Sequence, residues 1–239
     1  MFNDQIFLVD QDNKIVSLNI SDGSQIWDIL SISSFIKSQN LLPISISKKG
    51  DLISINSAAD LFKVDTHSGS IYWSRNVSDS LYSDDTDFFK SSDIVIADDQ
   101  VIFSTKTSIF SYEIDSGNII WKNEISSADA PIVDGENVFI ITENGFFVIL
   151  DRKTGKILSS RNILKILKKR KQETKVSGFI MGSGKIYSVT LNGYLIASSG
   201  TSGQAEYFKK IGDPIISSPI ISDGKLYILT ENSRIIGLN

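Results

Sequence analysis

Apolar residues in this chain fall in short runs of five to seven, separated by polar turns, and nowhere recur at helical spacing over a long window. Runs this short, rich in Ile, Val and Phe and bounded by Gly, Asn, Asp and Ser, predict β-strands. The runs themselves repeat. Clear copies begin at Leu52 (LISINSAADLFKVDTHSGSIYW), Val101 (VIFSTKTSIFSYEIDSGNIIW) and Val138 (VFIITENGFFVILDRKTGKILS), with weaker copies at Ile6 and Ile186. Their turn glycines, Gly23, Gly69, Gly117, Gly155 and Gly203, stand 38 to 48 residues apart. A β-rich period of that length belongs to propeller blades and not to a helical solenoid.

Each unit divides into four predicted strands. An inner strand precedes a polar turn, as in ADAPIVDGEN (128–137) and SSPIISDGK (217–225). The second and third strands meet at Glu-Asn-Gly (143–145) or Leu-Asn-Gly (191–193), where Asn-Gly suits a tight hairpin with positive φ. The third and fourth meet at a Ser/Thr-Gly turn. Trp27, Trp73 and Trp121 each lie four residues beyond the turn glycine, and Ser159 and Tyr207 hold that offset in the weaker copies. An indole on an outer strand is expected to wedge against the neighbouring blade, burying area that one sheet cannot bury alone. Four residues before each glycine stand Asn19, Asp65, Glu113, Asp151 and Ser199, side chains able to accept hydrogen bonds from the turn.

The expected architecture is all-β: a β-propeller domain over 1–239 made of four-stranded antiparallel blades. Six are represented, at about 1–29, 42–77, 92–125, 130–163, 177–211 and 217–239. The first and last read as three-stranded and incomplete, so the expectation is a C-terminal portion of a larger, eight-bladed ring.

Composition narrows the chemistry. The 239 residues contain no Cys and one His, with 24 Lys and Arg against 28 Asp and Glu. Thiolate chemistry, disulfides and a His-rich metal centre are therefore out of reach. A net charge of −4 argues against general nucleic-acid binding. No Gly-x-Ser-x-Gly elbow and no phosphate loop occur, and His67 sits in an outer turn without a companion nucleophile. Two charged stretches stand out between blades: Asp84, Asp85 and Asp87, and the basic run 165–175 with Lys168, Lys169, Arg170 and Lys171. The acidic cluster reads as a solvated linker, a partner contact or a calcium site, and the basic run as a solvated linker or a contact with an acidic partner surface, anionic headgroups or nucleic acid; Ile163, Leu164 and Leu167 are spaced for a short helix in the second.

The repeated Asp/Asn/Glu-x-x-Ser/Thr-Gly-x-x-x-Trp strand end, with its Asp-Gly-x-Val/Leu-Phe/Tyr turns, resembles the quinoprotein-like (PQQ-like) β-propeller repeat family. Within it, VDGENVFIITENGFFVILDRKTGKIL (133–158) and the ending SSPIISDGKLYILTENSRIIGLN are similar to the branch of outer-membrane assembly lipoproteins. That resemblance implies a periplasmic, non-catalytic scaffold without a cofactor or metal. Its partners would be the periplasmic region of the outer-membrane assembly barrel and nascent outer-membrane proteins, and membrane attachment would run through a lipid anchor that this sequence does not contain. The alternatives are a fragment of a PQQ- and Ca²⁺-dependent dehydrogenase and a generic protein-interaction propeller. No run here groups Glu, Asn and Asp with a Trp outside the repeat pattern, as the quinone site of such an enzyme requires.

Overall fold

In a computed structural model, the structure describes residues 2–30, 42–78, 89–171 and 174–238. These form six antiparallel sheets, each in simple sequential order. Sheet 1 holds β1 (Gln5–Val9), β2 (Lys14–Asn19) and β3 (Gln25–Leu30). Sheet 2 holds β4 (Ile44–Ile46), β5 (Asp51–Ile55), β6 (Asp60–Asp65) and β7 (Ile71–Asn76). Sheet 3 holds β8 (Val95–Ala97), β9 (Gln100–Ser104), β10 (Ile109–Glu113) and β11 (Ile119–Asn123). Sheet 4 holds β12 (Ile132–Asp134), β13 (Asn137–Ile141), β14 (Phe146–Asp151) and β15 (Ile157–Asn162). Sheet 5 holds β16 (Val176–Gly182), β17 (Lys185–Thr190), β18 (Tyr194–Ser199) and β19 (Ala205–Lys210). Sheet 6 holds β20 (Ile220–Ser222), β21 (Lys225–Leu229) and β22 (Ile235–Leu238). The chain divides into two compact units, one of residues 1–106 and 110–120, the other of 107–109 and 121–239.

Burial explains the hydrophobic pattern strand by strand. In sheets 2, 3 and 4 the second and third strands are buried on both faces over most of their length, so their residues are largely apolar. Leu52, Phe62 and Val64 of sheet 2 pack with Ile15 of sheet 1, while Ile53, Ile55 and Leu61 pack with Val101, Phe103 and Phe110 of sheet 3. In the other unit Phe139, Ile141, Phe147 and Ile149 of sheet 4 pack with Phe179, Ile186 and Ile196 of sheet 5. The fourth strands cover one neighbour only. In β7, Trp73 alone is buried among exposed residues.

Two turns recur. Gly145 donates its N–H to the Thr142 carbonyl at 2.8 Å, and Gly193 does the same to Thr190 at 2.9 Å. Only the glycine of each Asn-Gly pair takes a positive φ (78° and 72°). The hairpin is thus a three-residue loop closed by one left-handed residue, not the two-residue turn that needs positive φ at both positions. One left-handed position is easier to fill, and Asn13, Ala59 and Ser233 occupy it in sheets 1, 2 and 6 with φ of 63–65°. The second turn joins the third and fourth strands. Gly69, for example, donates to the Asp65 carbonyl at 2.9 Å, and a register shift follows between Lys63 and Val64.

Candidate partner-binding surface

The repeat's tryptophans and glycines meet across neighbouring sheets. Trp27 lies over Gly69 and Trp73 over Gly117 in the first unit, and Trp121 lies over Gly155 in the second. A Cβ placed on those glycines would come within 2.9, 2.6 and 2.6 Å of the indole Cδ2. Each indole N–H also donates to the carbonyl three residues before its glycine: Thr66 at 2.9 Å, Ile114 at 3.0 Å and Arg152 at 2.7 Å. Absence of a side chain at the turn thus admits the indole, and the turn's carbonyl satisfies the buried N–H.

Gly203 has no tryptophan over it. Phe147 Cδ1 (3.4 Å) and Arg161 Cδ (3.8 Å) approach its position instead, and Arg161 Nε donates to the Ser202 carbonyl at 2.9 Å. Arg75, two residues beyond Trp73, makes the corresponding bond to Ser116 at 3.0 Å. Nothing lies within 4 Å of a Cβ on Gly23. Tyr207 is exposed on β19.

Side-chain acceptors organise the outer turns. Asp65 Oδ1 accepts from the backbone N–H of His67 at 2.7 Å and of Ser68 at 2.9 Å, and Asp151 Oδ1 accepts from Thr154 N–H at 2.8 Å. The Tyr72 hydroxyl, donating to Asp65 Oδ2 at 2.5 Å, is the main cause holding that carboxyl below the usual Asp range, with the Ser68 N–H next. His67 is an exposed turn residue whose backbone is spoken for. Among the described residues no three His, Asp or Glu side chains gather as a metal site would require.

Of the charged candidates, Asp84, Asp85 and Asp87 lie outside the described residues. Lys168, Lys169, Arg170 and Lys171 fall in a segment of 3-10 turns, Ile163–Lys171. Lys168 is exposed and sits at a break in those turns (φ 51°), and the side chains of the following three are not described. This basic stretch is seated, not trailing. Ile163, Leu164 and Leu167 are fully buried in the core between sheets 4 and 5. Leu164 Cγ occupies the space where Gly145 lacks a side chain, 2.3 Å from an added Cβ.

Seating those three side chains turns their neighbours outward. Lys165 and Ile166, with Arg161, Asn162 and Phe146, border a cleft of about 590 Å³ beside the start of β19. A second cleft of about 610 Å³ shares Phe146, Asn162 and Lys165 and extends to Lys175. These residues are not marked by the charge run alone. The available signal was Phe146, directly after the turn glycine, where the outward-facing position of the third strand should be polar.

The sequence profile of the family described as "Outer membrane protein assembly factor BamB" matches residues 1–161, more than half of the chain. The chain belongs to this BamB family. A BamB of Nitrosomonas eutropha is 26% identical over 137 residues, covering 55% of this chain and 33% of the relative. A BamB of Yersinia pestis is 21% identical over 250 residues, covering 98% of this chain and 61% of the relative. The chain thus spans between one third and about three fifths of these relatives' length. Among solved structures, the BamB of Moraxella catarrhalis superposes with a TM-score of 0.79 at 14% identity, covering 99% of this chain and 70% of its own. Quinohemoprotein alcohol dehydrogenase from Comamonas testosteroni superposes at 0.67 with 12% identity, covering 99% and 44%. Both likenesses show the β-propeller fold, and the family profile shows the PQQ-like repeat and the BamB branch.

Proposed function

We propose that this chain acts as a non-catalytic scaffold in outer-membrane protein assembly, on the periplasmic side, by holding the periplasmic region of the assembly barrel. The observation that carries the reading is the family match over residues 1–161. The geometry supports it in two ways. Within each compact unit, Trp–Gly contacts and inter-sheet apolar cores hold neighbouring blades together, so that loops and outer edges there can present binding groups at set positions. The single His lies in an exposed outer turn, where its backbone N–H is held by Asp65. No helix among the described residues is long and apolar enough to cross a membrane.

The enzyme alternative rests on fold likeness at 12% identity, which many unrelated activities share. Co-purification tests the scaffold reading. The chain, expressed with an affinity tag in the periplasm, should retain the assembly barrel after detergent extraction. Recovery no greater than that of an unrelated tagged propeller would remove it.

A further inference from the structure

We propose that the cleft between β15, the 3-10 segment Ile163–Lys171 and the start of β19 is a docking site for an acidic peptide segment carrying an apolar or aromatic anchor. The proposal rests on the scaffold reading, for which it supplies a contact point. Its first support is charge. The two adjoining clefts are lined by Arg161, Lys165 and Lys175 and by no Asp or Glu among the described residues. This concentration occurs in a chain whose acidic residues outnumber its basic ones by 28 to 24. Lys165 makes no ion pair among the described residues, and Arg161 is bound only to a backbone carbonyl. Lys175 shares an exposed pair with Glu143 at 3.0 Å, which an incoming carboxylate can replace at little cost.

The second support is the apolar floor. Phe146 is 45% exposed although its neighbours in β14 are buried, and Ile166 is partly exposed beside it. An accessible aromatic next to an arginine is the composition that dominates binding energy at protein interfaces. The third support is rigidity. Leu164 and Leu167 pin the segment that carries Lys165 and Ile166, so little ordering entropy opposes binding. A concave site of several hundred Å³ takes a side chain and its flanking backbone, whereas a lipid surface calls for a broad convex or planar face.

The test uses fluorescence anisotropy with a labelled ten-residue probe, Phe at its centre and Asp and Glu around it. Asn and Gln replace the acids in a control peptide. The wild-type chain should bind the acidic probe at least tenfold more tightly than the control, with affinity falling as salt rises. Lys165→Glu, at an exposed position with no ion pair among the described residues, should weaken the probe at least tenfold, and Phe146→Ala severalfold, with melting temperatures showing that both variants fold. Equal binding of probe by the wild-type chain and both variants would overturn the proposal. So would phosphatidylglycerol vesicles that bind in a Lys165-dependent way while the probe does not. A parallel arm measures the periplasmic region of the assembly barrel. If that region binds both variants as it binds wild type, and the probe is also unaffected, the cleft fails while the scaffold reading stands. If the probe depends on Lys165 but the wild-type chain ignores the barrel region, the cleft stands and the scaffold reading fails.

Discussion

Trp73 lies against Gly117, its Cδ2, Cε3 and Cε2 atoms 2.6 to 3.0 Å from where a Cβ would stand, while its N–H reaches the Ile114 carbonyl at 3.0 Å. Gly23 has nearly the same backbone (φ 71° against 67°) with nothing within 4 Å. Comparing alanine at the two sites separates backbone strain from packing. Gly23→Ala should cost about 1 kcal/mol, the usual left-handed penalty. Gly117→Ala should cost that plus about 1–3 kcal/mol for overpacking. Urea unfolding of the two variants reads the difference, and equal losses would show that the indole does not depend on the bare turn.

A double-mutant cycle isolates the contact itself. Trp73→Ala should destabilise by about 3–5 kcal/mol, as large aromatic truncations in cores do. In that background the added cost of Gly117→Ala should shrink to the backbone term, because the atoms it collides with are gone. Strict additivity would contradict the docking geometry.

Leu167 is completely buried and Leu164 nearly so, although both sit in the most basic stretch of the chain. Leu167→Ala should cost about 2–5 kcal/mol. Amide exchange over 163–171 should accelerate more than in β13, because fewer contacts then hold the segment down. Unchanged exchange would mean that the segment is held by something other than its apolar side chains.

Asp65 and Tyr72 make an acid-side and an alkaline-side prediction together. The Asp65 carboxyl is depressed below 3.8, mainly by the tyrosine hydroxyl, and Tyr72 is raised above 10.0, mainly by the same bond. A lowered folded-state carboxyl contributes stability that is present above the unfolded value and lost as pH falls through the folded one. A raised phenol contributes below 10 and loses it as pH climbs through its folded value. Tyr72→Phe should therefore shift the Asp65 carboxyl resonance titration upward toward the ordinary value. An unmoved titration would remove the hydroxyl as the cause.

The fold was legible because its determinants recur at fixed offsets. Trp27, Trp73 and Trp121 follow their glycines by four residues, and continuous runs such as Phe147–Leu150 mark strands covered on both faces. Replacement of an offset residue by groups from elsewhere was not legible. At Gly203 the covering atoms come from Phe147 on one strand and Arg161 on the next, while Ser159 holds the nominal place. Nor could the Asn-Gly pairs reveal that only the glycine turns left-handed, since both turn types accept that dipeptide. The basic run was visible as charge. Its role in forming a cleft depends on which side chains the core takes in, and that followed only from the burial of Ile163, Leu164 and Leu167.

The proposed function requires this chain to hold a protein partner in outer-membrane assembly without performing chemistry of its own. Biolayer interferometry against the purified periplasmic region of the assembly barrel tests it most directly, with a dye-linked alcohol oxidation assay in PQQ and Ca²⁺ run on the same preparation. A scaffold should show saturable, salt-sensitive binding and no turnover. Absence of binding together with quinone-dependent turnover would contradict the scaffold reading.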